Sequence, residues 1–337
     1  WEYCKTQGKD WELGNIFFER ESVEDYLKKI YNPDILALST YVWNWDITCQ
    51  LARAVKKKYP NCKIVMGGPQ VPFKQSWLEN NTDLCDIIVT YAGERAFAEI
   101  LKGNYTYPGV MTKDSYTPPK PDKEVNDIPS PYLSGLMDSL MQPGKQYSAI
   151  IETNRGCPYS CSFCDQQDLY YNKIAMFDYD RVIGEIDWIV KNKIDFLYFG
   201  DSNVGMFNRD VDFIKYIAKV RNETGYPRQI DYSTAKQQPK RIVELGEILN
   251  KEAKIRRGVT IALQSMNPKT LKAIKRINLA NEKLEQIVGD YNKAGVDNYC
   301  ELIVGLPEET LDTWIEGIGK ILELGSDHAL TVFFFFF

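Results

Sequence analysis

Residues 156–165 read Gly156-Cys157-Pro158-Tyr159-Ser160-Cys161-Ser162-Phe163-Cys164-Asp165, directly after the run Ser148-Ala149-Ile150-Ile151-Glu152-Thr153. The run reads as a buried strand, and Gly156 with Pro158 marks a turn beyond it. Three cysteines follow at C-x3-C-x2-C spacing. Thiolates are the usual ligands of iron–sulfur clusters, and the common cubane takes four of them. Here there are three within eight residues and no fourth nearby. A cubane held this way keeps one iron open to a small molecule.

Other uses of the three cysteines fit less well. A structural zinc site takes four nitrogen or sulfur ligands, usually as two pairs. The one histidine, His328, is remote, and Cys300 stands alone in an apparent strand. A disulfide framework needs denser cysteine and an oxidising compartment, whereas 8 cysteines are spread over 337 residues with no signal peptide pattern. Cysteines buried at this spacing by chance remain the plain structural alternative.

The composition is that of a soluble globular chain, with 44% hydrophobic and 26% charged residues. A net charge of −5 argues against a general nucleic-acid binder. No apolar run reaches the ~20 residues that cross a bilayer. The expectation is therefore a cytoplasmic protein without membrane or general nucleic-acid partners. The chain opens at Trp1 and closes on Phe333–Phe337, which reads as a strand whose covering helix lies beyond the sequence.

Before the cysteine loop, strands and helices alternate. Strands are expected at 11–18, 34–39, 63–66 and 86–89. Helices are expected at 21–30 with Ser22 as cap, at 46–59, around 77–80 and at 94–101. This pattern predicts a doubly wound parallel sheet, whose ligands bind at the carboxyl ends of the strands. Those ends carry Ser39-Thr40-Tyr41-Val42-Trp43-Asn44, Gly67-Gly68-Pro69-Gln70 and Tyr91-Ala92-Gly93-Glu94. Paired glycines admit a large flat ligand, although tight turns need glycine anyway. Prolines punctuate residues 105–147, so that stretch reads as a surface linker. From 148 onward six strand–helix units follow, too few for a closed eightfold barrel. The domains expected are 1–120, a linker at 121–147, and 148–337.

Cys157, Cys161 and Cys164, with aromatic Phe163 before the third, resemble the motif of the radical S-adenosylmethionine (SAM) superfamily. The resemblance implies an open partial (β/α)6 barrel of TIM type and a 4Fe-4S cluster on the three cysteines. It also implies that the open iron chelates SAM, whose sulfonium is split by one electron to give a 5′-deoxyadenosyl radical. An external reductant of flavodoxin or ferredoxin type is implied as partner. Strand-end residues Gly200, Asp201, Asn203, Ser233, Gln264, Ser265, Glu301 and Ile303 then become candidate SAM contacts. Asp201 stands where the family meets the SAM amino group, although Asp201 and Asn203 also suit a helix cap. Gln264 offers donor and acceptor to a sugar diol. Lys236 and Arg276 are candidate carboxylate partners, with a solvent-facing position as the plainer reading.

The order Leu-Ser-x-Tyr-x-Trp-Asn, then Lys-Ile-Val-x-Gly-Gly-Pro, then Gly-Glu resembles the cobalamin-binding domain that precedes many radical SAM barrels. The resemblance assigns Ser39, Tyr41, Trp43, Asn44, Gly67, Gly68, Pro69, Gln70, Gly93 and Glu94 to cobalamin. No histidine precedes residue 328, so this domain offers the lower face of cobalt no histidine. Cys4, Cys49, Cys62 and Cys85 do not resemble a second cluster site. The function expected is a cobalamin-dependent radical SAM methyltransferase acting on an unactivated carbon of a small molecule or peptide. A cobalamin radical SAM enzyme of ring-forming or rearranging chemistry and a non-catalytic cobalamin sensor stand as alternatives.

Overall fold

Alternating burial along three short strands explains the first unit, residues 1–122 with 127–129. Ile64, Met66 and Ile88 point to one face, where they meet Ala52 and Val55 of a helix. Val65, Ile87 and Val89 point to the other, against Ala96 and Ile100. Both faces are apolar, so helices must cover both. The structure, a computed structural model, describes residues 1–8, 10–120, 123–164, 174–235, 238–255, 258–326 and 328–333. The order is α1 (Glu2–Lys5), α2 (Val23–Lys29), β1 (Ile35–Ser39), α3 (Trp45–Lys58), β2 (Lys63–Gly67), α4 (Gln75–Glu79), β3 (Ile87–Val89), α5 (Gly93–Leu101) and β4 (Val110–Thr112). The sheet runs β1-β2-β3-β4. The first three strands are parallel, and β4 is antiparallel to β3.

Ser22 caps α2 as expected, its hydroxyl accepting from the Asp25 amide at 3.1 Å. Two expectations need correction. Residues 11–18 form no strand. Phe17 meets Tyr26 edge-on at 5.1 Å and Asn15 donates to the Lys29 carbonyl, so side chains hold this segment without a ladder. The proline-dense stretch read as linker contains β4. Val110 and Met111 are buried, and β4 pairs with β3 on one side while Met111 bridges to Tyr116 on the other.

The second unit covers 123–126 and 130–337. Its elements are α6 (Leu136–Leu140), β5 (Ser148–Ile151), β6 (Asn154–Arg155), β7 (Ala175–Met176), α7 (Tyr179–Lys191), β8 (Phe196–Val204), α8 (Asn208–Thr224), β9 (Gln229–Thr234), α9 (Pro239–Glu247), β10 (Val259–Gln264), α10 (Pro268–Ala273), α11 (Asn281–Ala294), β11 (Asn298–Val304), α12 (Leu311–Glu323) and β12 (His328–Phe333). Six of these strands form two parallel sheets, β5-β8-β9 and β10-β11-β12. The Ile230 amide of β9 donates to the Ile255 carbonyl ahead of β10, which links the two. Helices cover one face: Ala149, Ile151, Leu197, Phe199, Ile230 and Tyr232 join a core with α7 and α8. The alternate residues face the other way, and Ile150 there is 61% exposed. Gly200 and Ser233 share that open face, the inner wall of a partial barrel. The Tyr132 hydroxyl accepts from the Ile150 amide and donates to its carbonyl, which blunts the free edge of β5.

Candidate cofactor sites

The cysteine loop is fastened at three points. β6 and β7 pair antiparallel, Asn154 with Met176 and Arg155 with Ala175, and bracket the loop. The Ser162 amide donates to the Ile274 carbonyl at 2.9 Å. Phe163, the motif aromatic, packs on the cluster of Ile274 after α10, Ile303 of β11 and Leu306 just past it. Cys157 and Cys161 are buried, and Cys164 is half-buried. No disulfide joins any of the eight cysteines, which disposes of a disulfide framework.

Among the described residues no three His, Cys, Asp or Glu side chains gather around one point as a mononuclear ion needs. A cubane makes a different demand, one thiolate at each of three irons, so its ligands spread over three corners. The donors around the sulfurs suit that group. Asn203 Nδ2 donates to Cys157 Sγ at 3.2 Å, and Arg276 Nη1 donates to Cys161 Sγ at 3.8 Å. Polar hydrogens directed at sulfur match thiolates rather than apolar thiols.

Asp201 lies among the donors of the segment that follows β5. It is 2% exposed and accepts from the Thr153 amide (2.9 Å), Thr153 Oγ1 (2.6 Å), the Asn154 amide (2.9 Å) and Asn154 Nδ2 (2.5 Å). Burial raises its carboxyl to about 7, against the opposing pull of those donors. With both oxygens engaged, Asp201 positions the segment leading into Gly156. Asn203 is buried in the same strand with its Oδ1 unpaired.

The remaining strand ends sort by what occupies them. Gln264 closes β10 at a register shift with φ of +67°, and irregularities of this kind re-aim side chains at strand ends. The Ser265 hydroxyl is committed to Glu309, whose other oxygen accepts from Thr313 Oγ1 at 2.6 Å. Glu301 is half-buried in β11 beside Ala262, and Ile303 packs on the motif phenylalanine. Lys236 lies outside the described residues. Arg276, whose plainer reading was solvent-facing, is 5% exposed and sits at the cysteine loop.

In the first unit the three strand-end loops adjoin. The Thr40 amide and Oγ1 donate to the Gly67 carbonyl at 2.7 and 3.0 Å, the Gln70 amide donates to the Thr40 carbonyl, and the Val71 amide to Thr40 Oγ1. Asn44 closes its own loop: Oδ1 accepts from the Tyr41 amide and Nδ2 donates to the Ser39 carbonyl. Tyr41 and Trp43 stack at 4.5 Å, with Trp43 69% exposed. Phe73 and Tyr91 lie 6.3 Å apart and are exposed as well. Exposed rings at the ends of parallel strands suit a broad flat ligand such as a corrin. Pro69 is exposed beside Gly68, and Gly93 with Glu94 opens α5.

The comparisons agree with this architecture. The radical SAM superfamily family matches residues 151–320, half of the chain, and the B12 binding domain family matches residues 2–101. The chain belongs to the radical SAM superfamily and carries a B12-binding domain ahead of its barrel. It is 34% identical over 327 residues to TokK of Streptomyces tokunonensis, a cobalamin-dependent radical SAM methyltransferase, covering 92% of this chain and 48% of TokK. It is 34% identical over 331 residues to the 2-(S-pantetheinyl)-carbapenam-3-carboxylate methyltransferase of Streptantibioticus cattleyicolor, covering 94% and 48%. The chain thus spans about half the length of these relatives. The solved structure of TsrM from Kitasatospora setae, with cobalamin and a [4Fe-4S] cluster bound, superposes with a TM-score of 0.65 at 16% identity, covering 92% of this chain and 63% of TsrM. Among the described residues no helix is long and apolar enough to cross a membrane.

Proposed function

We propose that this chain is the cobalamin- and cluster-binding part of a radical SAM methyltransferase that delivers a methyl group to an unactivated carbon of a small molecule. The observation that carries this reading is the pairing, on one chain, of a three-cysteine loop beyond the first barrel strand with a B12-binding sheet. Identity of 34% to two methyltransferases along more than nine-tenths of the chain supports methyl transfer over ring formation or rearrangement. When bound, the cluster supplies the electron that splits the SAM sulfonium, and cobalamin carries the methyl group.

The chain's own residues do the holding. Cys157, Cys161 and Cys164 bind the irons, while Asp201 fixes Thr153 and Asn154 at the entrance of their loop. Gln264 and the Gly200 and Ser233 face line the bed for SAM. Tyr41 and Trp43 receive the corrin at the sheet. The lack of disulfides fits a reducing cytoplasm and an external one-electron donor. The S. cattleyicolor relative is named for a pantetheinyl carbapenam acid, so a thioether-bearing bicyclic acid is the first acceptor class to offer.

Protein reconstituted anaerobically with iron, sulfide and cobalamin, then given SAM, reductant and that acceptor, should form 5′-deoxyadenosine and a product heavier by one methylene unit. 5′-Deoxyadenosine with an acceptor-derived product of unchanged mass would support a rearranging enzyme. An intact cluster with no 5′-deoxyadenosine would support a sensor. Trp43→Ala tests the corrin bed. An exposed ring should leave the melting free energy within ~0.5 kcal/mol. Loss of a stacking partner worth about 0.5–1.5 kcal/mol should weaken cobalamin binding roughly two- to tenfold in a spectroscopic titration.

A further inference from the structure

Arg276 is a buried cation, 5% exposed. Its Nε donates to Asn278 Oδ1 at 2.8 Å, its Nη2 to the Ala262 carbonyl and its Nη1 to Cys161 Sγ. Among the described residues no Asp or Glu forms an ion pair with it. Burial pulls its pKa down, and the groups that oppose this are Cys161, Tyr159 and Cys164. A guanidinium removed from water costs several kcal/mol unless an anion answers it. Among the described residues the group that answers it is the Cys161 sulfur, a thiolate when it holds iron.

The position is built rather than incidental. Asn278, which holds Nε, is anchored through Nδ2 to the Leu263 and Ser265 carbonyls at 2.8 and 3.1 Å. Ile274, two residues before Arg276, accepts from the Ser162 amide. One short segment therefore joins the end of β10 to the cysteine loop and carries a fixed positive charge between them.

We propose that Arg276 is the counter-charge of the cluster: its guanidinium, directed at the Cys161 sulfur, offsets the anionic three-cysteine assembly and raises its reduction potential. The charge count gives the sign. A doubly positive cubane core with three thiolates carries one net negative charge, and accepting an electron makes it two. A neighbouring cation stabilises the more negative state more strongly, and net charge and hydrogen bonds to sulfur are the known settings of such potentials. Asn203 of β8 adds a neutral donor at Cys157, so two different sulfurs receive N–H groups, one from a strand and one from the segment after α10.

This inference rests on the cluster reading, and the test separates the two. If the wild-type chain assembles no cluster, the cluster reading itself fails. If it does, the potential is titrated by electron paramagnetic resonance in wild type, Arg276→Gln and Arg276→Lys, with iron and sulfide counted in each. Arg276→Gln should lower the reduced fraction at a fixed potential about tenfold, a shift of ~59 mV for one electron. Arg276→Lys, which keeps the charge, should stay within about threefold of wild type by the same conversion. Loss of iron in Arg276→Gln with retention in Arg276→Lys also supports the proposal. Wild-type potentials in both variants would overturn it. Equal shifts in both, or iron loss in both, would also overturn it and assign Arg276 to fastening the loop.

Discussion

Cys161→Ala is expected to abolish both the broad iron–sulfur absorbance of reconstituted protein and its cleavage of SAM. Three thiolates are the fewest that hold a cubane with one free corner. The Arg276 guanidinium directed at Cys161 cannot replace a thiolate. The expected fall in 5′-deoxyadenosine formation is roughly 10³-fold or more, on the order of 4 kcal/mol at ~1.4 kcal/mol per decade. Cys300→Ala serves as the comparison. Cys300 is fully buried in β11 and remote in role, so its loss should cost about 1–2 kcal/mol of stability and leave the iron count unchanged. Full iron content in Cys161→Ala would contradict the assignment.

The second large effect is expected at Gly68. Its φ is +114°, and a Cβ there would sit 2.4 Å from the Thr40 carbonyl oxygen and 2.9 Å from the Thr40 nitrogen. Both obstacles are backbone, held by the bonds that join Thr40 to Gly67 and Gln70. A side chain can relax neither the strain nor the contact. Gly68→Ala should therefore destabilise the first unit by about 3–5 kcal/mol, the sum of backbone strain and overpacking. Gly14, with nothing within 4 Å of its would-be Cβ, should accept alanine within ~0.5 kcal/mol. Denaturant titration of both variants decides it; equal midpoints would show that the loops at Thr40 and Gly68 do not cross as closely as described. If the fold survives, cobalamin binding should fall with it, because these loops carry Tyr41 and Gln70.

Much of this was legible in the residues alone. The cysteine spacing, the phenylalanine before the third cysteine and the regular βα rhythm are local signals, and they placed the loop and the barrel strands nearly where they lie. Ser22 announced a helix start because capping is decided within four residues. What sequence missed was set by contacts across the chain. Residues 11–18 carry aromatic residues suited to a strand, but no neighbouring strand lies there to pair with. Val110–Thr112 is too short and too close to prolines to signal an edge strand, and only the waiting side of β3 makes it one. Arg276 sits in a polar, basic stretch after a short helix, which favours a solvent position. Its burial comes from Asn278, Ala262 and Cys161, which lie up to 115 residues away. For Asp201, the partners Thr153 and Asn154 become visible only when β5 and β8 pair.

The measurement that bears most directly on the account is electron–nuclear double resonance on the singly reduced wild-type cluster, with SAM carrying ¹⁵N in its amino group. The account predicts a changed spectrum on adding SAM and a ¹⁵N coupling that places the amino nitrogen on one iron. An unaltered spectrum with no nitrogen coupling, at saturating SAM and full cluster content, would contradict it.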